Sequence, residues 1–258
     1  MNLRLRGIML GLLILPRLPR LYLDGKKLRQ SITRIPEAAH PIGMIRHTGD
    51  KIINAVILGE STMAGVGVDS HKRGFAGHLC KALSILTSSS VSYNVIARTG
   101  YTAEMVHKKL VNKVPEKADL IIIGLGGNDA FTLNRPSKWA ESIRLLISQL
   151  RHRQGAEVPI FFTNMPPIKD FPAFTNRMQY VLGNWVEHLG LELRQLIQEY
   201  PNCYYDHRIL KLEDFTNEDE VSKDKKELFS DGIHPSELTY RLWANRFAQF
   251  IASKRTLF

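Results

Sequence analysis

Four short apolar stretches, each separated from the next by a segment of helical spacing, limit what this chain can fold into. They are Ile52 to Leu58, Val91 to Ala97, Asp119 to Leu125 and Val158 to Thr163. Continuous apolar character, rather than alternation, marks a strand covered on both faces. The intervening segments are Arg73 to Leu86, Ala103 to Val114 with Met105, Val106 and Leu110 inward, and Pro136 to Arg151. The last carries Trp139, Ile143, Leu146, Ile147 and Leu150 on one side, and its proline suits a first helical turn. Beyond them lie a long, partly helical stretch from Pro172 to Tyr200 and a weaker strand from Asn202 to Tyr205. A closing helix from Ser236 to Ser253 packs Trp243, Phe247, Phe250 and Ile251. Strands alternating with helices predict an α/β fold, a three-layer α/β/α sandwich around a central parallel sheet.

In such sheets ligands bind outside the carboxyl ends of the strands. Three polar blocks stand at those ends: Gly59-Glu60-Ser61, Arg98-Thr99-Gly100 and Gly126-Gly127-Asn128-Asp129. A fourth, Asp231-Gly232-Ile233-His234, precedes the closing helix. Serine is a weak nucleophile until a base takes its proton. His234 can supply the base, and Asp231, three residues earlier on the same turn, can hold one imidazole nitrogen and leave the other for Ser61. The backbone N–H groups of Ser61 and Gly100 and the side-chain amide of Asn128 are the natural donors to an oxyanion. Asp129 reads as a structural carboxylate. His207 lies beside Asp206, but neighbours in a strand point to opposite faces, so that pair is not a base and its orienter.

These blocks resemble those of the SGNH hydrolases, the GDSL-type esterases and lipases, from about Lys51 to the C-terminus. The residues that name that family correspond to Ser61, Gly100, Asn128 and His234; Gly126 to Asp129 fits G-x-N-D and Asp231 to His234 fits D-x-x-H. One position departs: the family usually has Asp before the nucleophile, and this chain has Glu60. The resemblance implies the SGNH, flavodoxin-like version of the sandwich. It also implies a serine esterase acting on lipid or general carboxylic esters through Ser61, His234 and Asp231. A carbohydrate O-deacetylase is the alternative within the family, and a catalytically silent binding module on the same fold is the alternative of a different class. Glu60 is expected to point away from the serine and to transfer no proton.

Two glycine-rich segments are decoys. Gly124 to Asp129 lacks the final glycine of a dinucleotide fingerprint, and Gly59 to Gly65 lacks the lysine of a phosphate loop. No His, Cys or Glu cluster has metal-ligand spacing, so neither metal nor cofactor is expected. Cys80 and Cys203 form no framework, and Cys80 sits in a helical pattern as a small core residue. Asn164-Met165-Pro166-Pro167-Ile168 should form one rim of the site. Met165, Pro166, Ile168 and Ile233 are the candidate substrate contacts. Phe171, Phe174, Met178, Val181 and Leu182 suit either an acyl groove or the packing of the long helix. Thr216 to Lys226 is charged and expected to be a surface loop.

Charge is concentrated at one end. The chain of 258 residues has a net charge of +10. Residues 1–35 hold eight Lys and Arg against Asp24 alone, a net +7 that leaves +3 for the rest. This basic arm is interleaved with Leu, Ile and Met, which favours an anionic membrane surface over nucleic acid. Its longest apolar run, Ile8 to Leu15, is far short of the roughly 20 residues that span a bilayer. An interfacial anchor at the cytoplasmic face is the first expectation. A signal or uncleaved anchor leading to the periplasm or outside is the second, and a packed soluble arm the third. Residues 1–45 are therefore taken as arm and linker, the linker at Ile35 to Pro41, and residues 46–258 as the hydrolase domain.

Overall fold

In the computed structural model, which describes residues 2–210 and 225–254, six strands form one sheet in the order β1-β3-β2-β4-β5-β6. The strands are β1 (Ile42–Ile45), β2 (Ile52–Gly59), β3 (Ser90–Ala97), β4 (Leu120–Gly124), β5 (Ile160–Phe162) and β6 (Cys203–Tyr205). All neighbours run parallel except β1, which pairs antiparallel with β3. Every residue of β4 is buried, as a central strand covered on both faces requires.

The helices are α1 (Leu3–Ile14), α2 (Leu18–Ser31), α3 (Phe75–Thr87), α4 (Ala103–Lys109), α5 (Gly127–Phe131), α6 (Pro136–Gln154), α7 (Asn176–Ile197) and α8 (Glu237–Ser253). α3 and α8 pack together on one face of the sheet; α4, α6 and α7 form the other layer. Trp139 of α6 fixes that layer by donating its indole N–H to the Leu189 carbonyl of α7 at 3.2 Å. Phe75 of α3 packs against Trp243 of α8 with ring centroids 4.5 Å apart. The expected helix from Ala103 to Val114 is shorter, ending at Lys109 and followed by a 3-10 turn, Val111–Lys113; Met105 is only half-buried.

Two features differ from the sequence expectation. Residues 42–45, assigned to a linker, are an edge strand. Ile42 and Met44 are exposed there, so no buried face prints a pattern on the sequence. The other is the basic arm, whose packing was only the third expectation: α1 and α2, joined by a 3-10 turn, lie on the outer side of α7. Ile14 and Leu21 are buried in that contact, and Asp24 pairs with Arg177 at 2.7 Å. No described helix is long and apolar enough to cross a membrane. The expected surface loop Thr216–Lys226 lies outside the described residues, apart from residues 225–226, which open a 3-10 turn.

Candidate active site

The strand register places three of the polar blocks side by side. Gly59 at the end of β2 stands level with Ala97 at the end of β3 and with Gly124 at the end of β4. Ser61, Gly100 and Asn128 follow those positions within a few residues, beyond the ends of three neighbouring strands. His234 arrives from the far end of the chain. Tyr240 of α8 donates its buried hydroxyl to the Val66 carbonyl at 2.8 Å, and Val66 N–H donates to the Ser61 carbonyl at 3.1 Å. The loop carrying His234 is thereby tied to the loop carrying Ser61.

His234 Nδ1 lies 2.8 Å from Asp231 Oδ2. The other carboxylate oxygen accepts the backbone N–H groups of Ile233 at 3.0 Å and His234 at 2.8 Å. Burial raises the Asp231 pKa, but the bonds from the His234 ring and the two N–H groups outweigh it, so the carboxyl sits below its ordinary value. Asp231 therefore remains an anion that holds Nδ1 as the donor and leaves Nε2 as the basic nitrogen. No hydrogen bond joins Ser61 Oγ to the His234 ring among the described residues; such bonds often tighten only around substrate. His207 is exposed, and its neighbour Asp206 bonds Arg208 instead.

Two of the expected donors are free of acceptors among the described residues: the backbone N–H groups of Ser61 and Gly100. Asn128 Nδ2 donates to the Tyr101 carbonyl at 3.1 Å, and the same amide also acts on the Glu60 carboxylate. Gly100 has φ +81°, and a Cβ built there would meet nothing within 4 Å, so the space before its N–H is open. Donors fixed in this way favour negative charge developing on an oxygen at their focus.

Sequence reasoning missed what fixes them. Glu60 is buried, and its carboxylate accepts the N–H groups of Gly127 at 2.8 Å and Asn128 at 2.9 Å. Burial raises its pKa to about 7, against the lowering effect of those two bonds. A Cβ on Gly127 would lie 2.9 Å from Glu60 Oε1, which explains the second glycine of the block. Glu37, in the linker, accepts Thr99 N–H at 2.7 Å and pairs with Arg98 at 3.0 Å, bracing the Gly100 turn. Asp129 is the exception, read from the sequence as structural: it accepts Ala103 N–H at 2.9 Å and Asn134 Nδ2 at 2.6 Å, anchoring the Asn128 helix to the start of α4. No local signal marks these contacts, since Glu60 and Gly127 are 67 residues apart and Glu37 and Thr99 are 62 apart.

The expected substrate contacts divide. Pro166 and Ile233 line a cavity of about 50 Å³ with Glu60, Thr62, Phe171 and Phe229. Met165 and Ile168 are largely buried and, with Pro166, wall a separate cleft of about 560 Å³ against α7. Phe171, Phe174, Met178, Val181 and Leu182 are all buried in the core. They pack α7 and its preceding loop onto the body, with Phe171 also reaching the small cavity.

Residues 57–242 match the model of the GDSL-like lipase/acylhydrolase family, a span that contains all four blocks. The chain belongs to this family. It is by class an ester hydrolase, and the fold agrees. The lipase Lip_vut3 from a goat rumen metagenome superposes with a TM-score of 0.57 at 21% identity, over 76% of this chain and 97% of that one. A lipase/acylhydrolase from Enterococcus faecalis gives 0.53 at 17%, over 78% of this chain and 96% of that one. A family two carbohydrate esterase from Clostridium thermocellum, in complex with cellohexaose, gives 0.56 at 16%, over 80% of this chain and 65% of that one. At these identities the likeness is one of fold. A comparison with curated proteins finds no match.

Proposed function

We propose that this GDSL-family enzyme is a serine esterase for small-molecule or lipid acyl esters, with Ser61 as nucleophile, His234 as general base and Asp231 as its orienting carboxylate. Ser61 Oγ attacks the ester carbonyl while His234 Nε2 takes its proton. The carbonyl oxygen becomes an oxyanion facing the N–H groups of Ser61 and Gly100 and the Asn128 amide. Collapse breaks the bond to the alcohol, which leaves with the proton from His234. Water, deprotonated by His234, then attacks the acyl-serine and releases the acid and the free serine. The observation that supports this reading is the pair of backbone donors without acceptors among the described residues, at Ser61 and Gly100, in a chain that also holds an imidazole at 2.8 Å from a carboxylate.

The test is turnover of short-chain acyl esters. Ser61→Ala should lower kcat by about a thousandfold or more at unchanged Tm. Asn128→Ala should lower it about 100-fold to 1,000-fold. Undiminished turnover by the alanine variant at position 61 contradicts the assignment. A carbohydrate O-deacetylase is the second reading: the cavity of about 50 Å³ beside the site is small, as an acetyl site would be, although its lining is mainly apolar. A sharp fall in kcat/KM beyond acetyl esters would select it, and tolerance of longer chains would select a lipid or general esterase.

A further inference from the structure

The helical pair α1–α2 has two apolar faces, and α7 covers only one. On α1, Gly7, Leu10 and Ile14 turn inward; Ile14 is buried, and a Cβ on Gly7 would lie 2.8 Å from the His188 ring of α7. Leu5, Ile8, Met9 and Leu12 follow at i, i+3, i+4 and i+7, which places them together on the opposite side of the helix. They are 52%, 55%, 47% and 66% exposed. Leu15 at the following turn and Tyr22 and Leu23 on α2 extend the apolar surface. A helix apolar all round is stable only where both sides find cover.

The surroundings of this stripe say what covers it. Arg4, Arg20, Lys26, Lys27 and Arg29 are exposed on the same two helices. None of them has an acidic partner among the described residues; Asp24, the arm's one acid, is spent on Arg177 and Thr175. Tyr22, Lys26 and Arg29 follow at i, i+4 and i+7, an aromatic side chain beside two cations. A bilayer with anionic headgroups supplies both needs: acyl chains for the stripe and negative charge for the unpaired cations. Nucleic acid supplies only the charge, and a second copy of the chain brings the same cations face to face.

We propose that α1–α2 is a docking surface that seats the folded enzyme on an anionic lipid bilayer, lying in the interface with Leu5, Ile8, Met9 and Leu12 inserted among the headgroups. The surface is connected to the site. Arg6 of α1 lines the cleft of about 560 Å³ that Met165, Pro166 and Ile168 also wall, and Pro166, Pro167 and Leu210 separate that cleft from the small cavity beside Glu60. The docking does not depend on the esterase reading, since binding is measured without turnover.

The experiment is flotation of the full chain with vesicles of phosphatidylglycerol mixed into phosphatidylcholine, set against pure phosphatidylcholine. The parent should float with the anionic vesicles and much less with the neutral ones. Ile8→Glu with Leu12→Glu, both at exposed positions, should weaken binding about tenfold or more at unchanged Tm and unchanged turnover of a soluble ester. Lys26→Glu with Lys27→Glu should also weaken it. The salt dependence should flatten with them, because screening tightens from about 10 Å at 0.1 M to about 3 Å at 1 M. Ile85→Glu, an exposed apolar position on α3, should bind as the parent does. A parent that stays with the soluble fraction, or stripe and charge variants that float as well as the parent, overturns the proposal. So does a solution dimer that the stripe variant splits while vesicle binding is absent.

Discussion

Glu60 stands one residue before Ser61, yet its carboxylate belongs to a different strand end, where it accepts the N–H groups of Gly127 and Asn128. Its bracing of the Asn128 loop was not foreseen. Its pKa of about 7 in the fold exceeds the ordinary 4.5, so the fold prefers the protonated form. That contribution is full below about pH 4.5 and is lost as pH rises through about 7. Wild type should therefore lose about 3 kcal/mol relative to Glu60→Gln between roughly pH 4 and pH 8, read from urea unfolding across that range. A pH-independent difference would mean that the carboxylate is solvated. In Glu60→Ala the two N–H groups lose their acceptor, at a cost of about 1–3 kcal/mol each.

The elements were legible in proportion to how much of their sequence is buried. β2, β3 and β4 lie between covering layers and appear as apolar runs, and α6 shows its inward side at helical spacing. β1 was hidden because its residues are largely exposed at an edge, held by the ladder to β3. The contact of α1 with α7 was hidden for the opposite reason: a helix apolar on both sides shows no single face. That contact depends on a glycine. Gly7→Leu should push α1 off the His188 ring and cost about 1–3 kcal/mol, seen as a lowered Tm. His188 is fully buried, and burial first, then Arg6, lowers its pKa; Glu192 lies 3.6 Å away. Its neutral form is the one the fold holds, so its contribution is present above about pH 6.5 and is lost as pH falls through the lowered value. The same Tm difference should therefore shrink in acid, where the parent contact weakens too.

Across the whole molecule, the residues proposed to do the chemistry stand out in the sequence because of where they fall relative to the buried strands and the closing helix. Ser61, Gly100 and Asn128 each close a buried strand, and Asp231 and His234 share one turn. The residues that hold them, Glu37, Glu60 and Tyr240, act over 60 or more positions of sequence, and no local pattern announces them. The molecule is thus a mostly parallel sheet with polar blocks following the carboxyl ends of three adjacent strands and a basic helical pair fastened to its outer helix. The most direct measurement is mass mapping after treatment with a serine-reactive fluorophosphonate. The adduct should fall on Ser61 alone, fail to form in His234→Ala and Ser61→Ala, and form more slowly in Asn128→Ala. An intact protein with no adduct, or an adduct on another serine, would contradict Ser61 as the nucleophile.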